Sequence, residues 1–218
     1  MRTDYAAHDA RYRKRRDGGA VGWDDAAIYV AREKMLAWAL ERFEPAGPRL
    51  LELGCGAGNM VPFLTGRGFS VTGVDISPAA IAWADERRLS DARFFVGDVV
   101  AAISGSYDVV VDGNCLHCIV GDDRARLLAN VRGALAPGGR FIVSTMCGPI
   151  TIPALRACFD EATRCQIVDG VAYRYIGDAD DILAELRAAG LSVDVSMVQA
   201  RESDDDQDHL WVVTSPRY

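Results

Sequence analysis

The sequence predicts an α/β fold in which a mostly parallel sheet carries helices on both faces. From residue 49 to residue 146, short apolar runs alternate with helical patterns, as in parallel strands joined by helices. A glycine-rich turn directly follows the first of these runs, at residues 54–58. The chain has 218 residues, of which 50% are hydrophobic. This is enough for one domain with a substantial core.

The N-terminal part is predicted to lie outside this alternation. The basic run at residues 11–16 is interpreted as a solvated, partly mobile arm. Apolar residues then recur at helical spacing from Asp25 to Phe43, after which prolines and a glycine stop the pattern. We therefore expect residues 1–48 to form an arm and a lid helix beside a main domain at residues 49–218.

Within the main domain, hydrophobic periodicity predicts each element in turn. Strands are expected at 49–53, 69–75, 92–97, 107–112 and 140–146, and helices at about 58–65, 78–89 and 122–136. Ser77 followed by Pro78 is a good N-cap and first helical residue. The Pro137-Gly138-Gly139 run is expected to stop a helix before a strand.

The last third of the chain is predicted to complete the sheet. Residues 147–177 mix helical and extended patterns and are interpreted as an insertion that covers a site. A helix is expected at 178–189, a strand at 191–200 and a last strand from His209 to Ser215. Two strands joined without a helix run antiparallel, so we expect one reversed strand near the C-terminus.

Composition restricts the compartment and the partners. A net charge of −7 disfavours a nucleic-acid partner, because the phosphate backbone repels an acidic surface. The first residues are charged where a secretory signal would be apolar, and no apolar run is long enough to cross a bilayer. The six cysteines do not form the dense framework of a small secreted domain. We expect a cytoplasmic protein with reduced thiols and no membrane contact.

The glycine-rich turn predicts a nucleotide-type cofactor site. Gly54, Gly56 and Gly58 leave backbone N–H groups and a positive helix end accessible to a ligand. Asp75 ends the next strand, where its carboxylate can accept hydrogen bonds from both hydroxyls of a ribose. NAD would use the same acid, but its fingerprint G-x-G-x-x-G requires glycine where the chain has Asn59.

These motifs resemble those of a known family, the class I S-adenosylmethionine-dependent methyltransferases. The first motif of that family resembles "LLELGCGAGN", the second "VTGVDIS" and the third "ARFFVGDVV". The strand and loop that follow resemble "YDVVVDGNCLHCIV", and the last helix and strand resemble "VRGALAPGGRFIVST". The resemblance implies a Rossmann-like three-layer sandwich with a mostly parallel seven-stranded sheet. It also implies S-adenosylmethionine as cofactor and S-adenosylhomocysteine as product.

The resemblance implies that ten residues surround the cofactor. The glycines would lie against its methionine and ribose, Asp75 would accept from the ribose hydroxyls, and Asp98 would accept from the adenine amino group. Asp112 would sit beside the sulfonium. The full set is Glu52, Gly54, Gly56, Gly58, Asp75, Ile76, Asp98, Val99, Asp112 and Gly113.

His117 is the candidate general base. It follows the strand at 107–112, at the edge where the methyl group of the cofactor should emerge. Methyl transfer from a sulfonium is an in-line displacement, so a base is needed only when the acceptor must lose a proton. A packing role for His117 stays open.

The acceptor is predicted to be a small molecule held between the loops after the fourth and fifth strands, the N-terminal helix and the insertion. The candidate pocket residues are Trp23, Tyr29, Cys118 and Tyr173, with Phe159 and Tyr175 as further wall residues. A zinc or metalloid site at Cys115, His117 and Cys118 is disfavoured, since no second cysteine pair follows at finger spacing, and no metal is expected.

Two other functions stay open. One is methylation of a macromolecule such as tRNA or a protein, which the negative charge and the lack of a separate recognition domain disfavour. The other is a protein that binds the cofactor without catalysis.

Overall fold

The computed structural model describes residues 2–203 and 206–217. In chain order, the strands are β1 (Arg2–Thr3), β2 (Arg49–Leu53), β3 (Ser70–Asp75), β4 (Ala92–Val96), β5 (Tyr107–Asp112), β6 (Leu135–Met146), β7 (Phe159–Asp160), β8 (Cys165–Val168), β9 (Val171–Tyr175), β10 (Leu191–Gln199) and β11 (His209–Pro216). The helices are α1 (Ala7–Asp17), α2 (Ala26–Leu40), α3 (Val61–Thr65), α4 (Pro78–Asp85), α5 (Asp123–Ala134), α6 (Pro153–Arg156) and α7 (Ala179–Ala188), with a 3-10 helix at Leu116–Cys118.

The large sheet has the strand order β10-β11-β6-β5-β2-β3-β4. Its central pairs are parallel, and β11 runs antiparallel to both of its neighbours, β6 and β10. The prediction of a mostly parallel seven-stranded sheet with one reversed strand is therefore confirmed. Because the order turns back between β5 and β2, a crevice forms at the carboxyl ends of these strands, where ligands bind in such sheets.

Two apolar cores lie on opposite faces of this sheet. On one face, leucines of α5 and α7 pack with Leu51 and Phe141. On the other face, Leu36 and Ala39 of α2 and Leu64 of α3 form the second core. Each face buries alternate residues of the strands, as a strand covered on both sides requires. Among the described residues, no helix is long and apolar enough to span a bilayer.

Several predicted boundaries were wrong, and backbone geometry explains why. The left-handed backbone of Gly58 (φ +68°) cannot belong to an α-helix, so α3 begins at Val61 rather than at 58. Similarly, Arg88 has φ +50°, and α4 ends at Asp85 rather than at 89. The expected stop at Pro137-Gly138-Gly139 is instead an irregularity inside β6, where the pairing with β5 shifts register.

The prediction that the basic residues of 11–16 are solvated agrees with the exposure of Arg11, Arg13, Lys14 and Arg16, but these residues do not form an arm. They lie in α1, whose Tyr12 is buried. Asp9 accepts hydrogen bonds from Ser77 Oγ (2.7 Å) and Ala79 N (2.8 Å), so its carboxylate fastens α1 to the first turn of α4.

The predicted insertion at 147–177 folds as a second, smaller sheet. Its strands β9, β8 and β7 pair antiparallel in that order, and the N-terminal β1 adds to β9 in parallel. The N-terminal segment and the insertion therefore share a sheet. The pattern of the sequence contains no signal for this pairing.

Candidate active site

A cavity of about 940 Å³ opens at the carboxyl edge of the large sheet. Its floor is formed by the turn after β2 and by the ends of β3 and β5, while α1, α2 and the insertion form the opposite walls. The volume lies at the upper end of ordinary ligand pockets. A smaller cleft of about 230 Å³ adjoins it and shares His8, Arg11, Trp23 and Arg174 among its lining residues.

The structure brings nine of the ten predicted cofactor residues to this cavity. They are Glu52, Gly54, Gly56, Asp75, Ile76, Asp98, Val99, Asp112 and Gly113. Gly58 is the exception. A side chain at position 58 would meet the Phe94 ring at 3.1 Å and the Ala84 methyl at 3.3 Å, so this glycine allows close packing of the turn against β4 and α4.

Asp75 ties the glycine-rich turn to the end of β3. Its Oδ2 accepts from Gly56 N (2.9 Å) and its Oδ1 accepts from Ser77 N (2.9 Å). Burial raises the pKa of this carboxyl, and these two donors oppose the shift. Each carboxylate oxygen has about two acceptor sites, so both oxygens retain capacity for the hydroxyls of a ligand.

The glycines are required by backbone conformation and by space. Gly54 and Gly56 have φ +64° and +54°, a region that favours glycine. A side chain at Gly56 would lie 2.5 Å from the Tyr12 hydroxyl oxygen, and one at Gly54 would lie 2.8 Å from Cys115 Cβ. The turn thus accommodates both α1 and the loop after β5.

Glu52 is a buried carboxyl whose Oε2 has no hydrogen-bond partner within the described chain. Burial raises its pKa to about 8, while nearby Arg32 acts in the opposite direction. A buried polar atom without a protein partner is uncommon. Because Glu52 also lines the cavity, its position is suited to a ligand that brings a donor or a positive charge.

Asp112 holds the loop that carries His117. Its Oδ1 accepts from Cys115 N (2.7 Å) and Leu116 N (2.9 Å), and its Oδ2 accepts from Ser144 N (3.3 Å). Burial raises the pKa of Asp112 to about 7. The carboxyl therefore positions the 3-10 helix after β5 in addition to lining the cavity.

His117 and Cys118 face the cavity from this 3-10 helix. Burial lowers the pKa of His117, and its Nδ1 has no hydrogen-bond partner within the described chain. Burial alone would raise the pKa of the Cys118 thiol, but His117 and Arg174 outweigh it and hold this pKa below its ordinary value. The neutral imidazole can accept a proton, as the candidate base requires.

The alternative of a zinc or metalloid site at Cys115, His117 and Cys118 has no structural support. Among the residues that the structure describes, no three or more His, Cys, Asp or Glu side chains are grouped so that they could hold a metal ion. Cys115 lies instead against Gly54.

The predicted acceptor residues divide between the two cavities. Trp23, Tyr29 and Cys118 line the large cavity, whereas Tyr173 lines only the smaller cleft. Strand alternation puts Tyr173 and Arg174 on opposite faces of β9, and Arg174 reaches the large cavity. Phe159 and Tyr175 are also absent from its wall; the insertion contributes Ile152, Ala154, Leu155, Gln166 and Arg174.

The sequence did not lead us to predict a cluster of polar side chains that lies below α2. Arg32 pairs with Asp24 (Nη2 to Oδ2, 2.7 Å), and the Asn114 amide accepts from Arg32 while donating to Ser144 Oγ (2.8 Å). Trp211 adds an indole N–H that has no partner in the described chain. One signal was available: Arg32 falls on the same face of the predicted helix as Tyr29 and Leu36, where an apolar residue would be usual.

His8 and His209, for which the sequence offers weak cases as functional residues, also line the cavity. All three histidines of the chain are therefore at this site. His8 stacks at 5.4 Å from the Trp23 ring, and burial lowers the pKa of His209. The place of His8 in a helix beside the cavity was not predicted, because the N-terminal segment was interpreted as an arm.

A family model described as a methyltransferase domain matches residues 51–141. Over these residues, the chain is similar to the S-adenosylmethionine-dependent methyltransferases. The match covers the glycine-rich turn, Asp75, Asp98 and the His117 loop, and ends within β6. The cofactor of the family is S-adenosylmethionine.

Individual relatives of this chain differ in what their names say they act on. Ubiquinone biosynthesis O-methyltransferase of Xanthomonas axonopodis pv. citri is 31% identical over 125 residues, which cover 55% of this chain and 52% of the relative. Ribosomal RNA small subunit methyltransferase C of Chromohalobacter salexigens is 36% identical over 108 residues, covering 46% of this chain and 32% of the relative. The chain thus spans about a third to about half of the length of these curated relatives.

A solved structure extends the likeness to almost the whole chain. It is 1,6-didemethyltoxoflavin-N1-methyltransferase of Burkholderia thailandensis with bound 1,6-didemethyltoxoflavin and S-adenosylhomocysteine. The TM-score is 0.70 at 22% identity, over 98% of this chain and 88% of that one. At this identity, the likeness is one of fold.

Proposed function

We propose that this chain transfers a methyl group from S-adenosylmethionine to a small-molecule acceptor by in-line displacement. The observation that carries the proposal is one continuous cavity of about 940 Å³. Its floor holds nine residues that the family motifs predict to contact the cofactor. It then continues past His117 and Cys118 to a wall made by α2 and the insertion.

The residues of the floor fit the cofactor. Gly54 and Gly56 leave the backbone accessible, Asp75 can accept from ribose hydroxyls, and the unpartnered Glu52 Oε2 suits a positively charged amino group. When bound, the cofactor supplies a methyl group on a sulfonium, which is a strong leaving group. The protein then has to position the acceptor and exclude water.

The described residues can perform these tasks. Helix α1 covers the turn after β2 through the buried Tyr12, which limits the access of water. Asp112 orients the 3-10 helix so that His117 and Cys118 face the cavity. Where the acceptor is a hydroxyl or an amine, the neutral His117 can take its proton.

A small acceptor is favoured over a macromolecule because three segments enclose the cavity. Helices α1 and α2 and the insertion all contribute to its wall, which suits an acceptor that is small enough to fit between them. The net charge of −7 adds repulsion toward nucleic acid. Because one relative is named as a ribosomal RNA methyltransferase, methylation of a macromolecule is retained as the alternative in the experiments below.

Calorimetry tests cofactor binding first. We expect S-adenosylhomocysteine to bind and NAD not to bind, and Asp75→Asn to weaken S-adenosylhomocysteine at least about tenfold, because one acceptor oxygen becomes a donor. Asp91→Asn is the matched control, since Asp91 is exposed and outside both cavities. Tight binding of NAD would contradict the assignment.

Methyl transfer is then followed by mass spectrometry with methyl-labelled S-adenosylmethionine and a fractionated cell extract. Label on a small metabolite is the expected result and identifies the atom that is methylated. Label confined to RNA or protein would replace the proposal with the macromolecular alternative. Cofactor binding without label in any fraction would favour a non-catalytic binder.

A further inference from the structure

Two arginines at the wall of the cavity have no carboxylate partner. Arg11 of α1 and Arg174 of β9 line both the large cavity and the smaller cleft. In the described part of the chain, neither forms an ion pair, whereas Arg32, Arg124 and Arg164 at or near the same walls each do. Two unpaired neighbouring arginines are unexpected in a chain with a net charge of −7.

The guanidinium groups of Arg11 and Arg174 lie close enough for their charges to interact. The pKa of Arg11 is lowered by burial and, next, by the charge of Arg174. The charge of Arg174 also acts on His117 and Cys118. Arg174 is therefore close enough to affect both Arg11 of α1 and the candidate reacting groups of the 3-10 helix.

Both guanidinium groups are held in place while most of their donors stay unused. The Arg11 guanidinium carbon lies 4.1 Å from the centroid of the Trp23 ring, which itself packs on Tyr12 at 5.0 Å. Arg174 Nη1 donates to Gln166 Oε1 at 3.4 Å. A guanidinium has five N–H donors, so each group can still bind a ligand. Fixing these side chains in advance reduces the entropy lost on binding.

The nearby carboxyls do not compensate these charges. Asp24 attracts Arg11, but its Oδ2 is paired with Arg32 at 2.7 Å. Burial raises the pKa of Glu52 to about 8 and that of Asp112 to about 7, so both carry less negative charge near neutral pH than exposed acids would. In the described part of the chain, no carboxylate therefore pairs directly with Arg11 or Arg174, although Asp75, Asp98, Glu202 and Asp206 line other parts of the same cavity.

We propose that Arg11 and Arg174 form an anion subsite and that the methyl acceptor carries an oxyanion group, such as a carboxylate, a sulfonate or a phosphate, which binds there. The planar fork of a guanidinium matches the geometry of these groups. The assignment of the ligand as the acceptor rests on the proposed function, while the anion subsite itself does not. With the oxyanion group bound at this subsite, the rest of the acceptor would be directed toward His117 and Cys118.

A matched pair of fluorescent probes tests the subsite. 1-Anilinonaphthalene-8-sulfonate carries a sulfonate on an apolar ring system, and N-phenyl-1-naphthylamine is the same ring system without it. With protein saturated by S-adenosylhomocysteine, we expect the sulfonate probe to bind at least about tenfold more tightly than the neutral one. Arg11→Gln and Arg174→Gln should each weaken binding of the sulfonate probe about tenfold and leave the affinity for the neutral probe unchanged.

The control variant is Arg93→Gln, because Arg93 is an exposed arginine of β4 outside both cavities. Its probe affinities should match those of the wild type. Equal binding of the two probes, or a sulfonate affinity that Arg11→Gln and Arg174→Gln do not change, would overturn the subsite. Circular dichroism spectra and urea unfolding curves like those of the wild type verify that the variants are folded.

Competition with the cofactor product distinguishes an acceptor subsite from a cofactor contact. If S-adenosylhomocysteine displaces the sulfonate probe competitively, the arginines bind the carboxylate of the cofactor, and the acceptor assignment is wrong. If the wild type does not bind S-adenosylhomocysteine, the proposed function fails, while the two probes still decide the subsite in the ligand-free protein.

Discussion

At the residue scale, Glu52 combines burial with an unpartnered oxygen. It is the last residue but one of the apolar strand β2, where the alternation of side chains places it on the same face as Leu50 and below α2. Burial of a carboxyl disfavours its charged form. A carboxyl at this position therefore reduces the stability of the fold at high pH, which is consistent with a role in binding rather than in packing.

We predict that Glu52→Gln changes the pH dependence of unfolding. The folded pKa of about 8 lies above the ordinary value of 4.5, so the folded state holds a proton that the unfolded state loses. The contribution of Glu52 is therefore most favourable below pH 4.5 and is lost as the pH rises to 8. Between pH 5 and pH 9, the free energy of unfolding of the variant should therefore rise relative to that of the wild type by on the order of 3 kcal/mol.

Urea denaturation at several pH values measures this difference, with Glu41→Gln as the exposed control. Asp112, whose pKa is raised to about 7, contributes a slope of the same sign, so the variant is expected to retain part of the pH dependence. Parallel curves for Glu52→Gln and the wild type would contradict the prediction.

Cys118 gives a second prediction at this scale. Because His117 and Arg174 hold its pKa below the ordinary value, its thiolate should form at lower pH than an ordinary thiol and react faster with iodoacetamide. We expect His117→Gln to slow alkylation of Cys118 at pH 7 by about threefold or more. Peptide mass spectrometry follows the rate, with the partly exposed Cys158 as the internal reference. An equal effect on both cysteines would indicate a general loosening of the structure instead.

At the element scale, α1 determines whether the floor of the cavity is covered. The helix is only 11 residues long and polar on average, so isolated helix formation is marginal. Its position depends on contacts with the main domain: the Asp9 carboxylate at the start of α4 and Tyr12 against Gly56. The local pattern around residues 11–16 reflects the charges of this helix and not these contacts, which explains the wrong arm interpretation.

We predict that Asp9→Ala loosens α1 and speeds the dissociation of S-adenosylhomocysteine. The change removes the acceptor for Ser77 Oγ and Ala79 N at the start of α4, so the expected increase in the dissociation rate is about tenfold. Stopped-flow displacement measures the rate, and hydrogen exchange should show faster exchange in α1. Asp17→Ala, at the exposed end of the same helix, is the control. Identical rates in both variants would mean that Asp9 does not hold the lid.

At the scale of the whole molecule, the N-terminus and the insertion are joined by the parallel pairing of β1 with β9. Tyr5 adds to this junction by donating to Asp123 Oδ2 (2.9 Å) and accepting from Val120 N (3.3 Å). The pairing brings α1 and β9 to the same wall of the cavity. Arg11 and Arg174 become neighbours there although more than 160 residues separate them in the chain.

The sequence by itself determined the parts of this protein in which a local pattern carries the information. Strand alternation, Ser77 as N-cap and the glycine-rich turn followed by Asp75 each depend on residues close together in the chain. They predicted the strand assignments of the large sheet and its reversed strand, whereas the nine residues of the cavity floor were implied by the resemblance to the methyltransferase family. The N-cap is confirmed by the bond from Ala80 N to Ser77 Oγ (3.0 Å).

Only the tertiary structure decided which groups meet across the cavity. Arg32 with Asn114, Arg11 with Arg174, and Gly58 with Phe94 are pairs formed by distant segments. No local periodicity encodes such a pair, because its energy depends on burial and on charges that folding brings together. The floor of the cavity was therefore predictable from the sequence, whereas the opposite wall with Arg11 and Arg174 follows from how the N-terminal segment and the insertion pack over that floor.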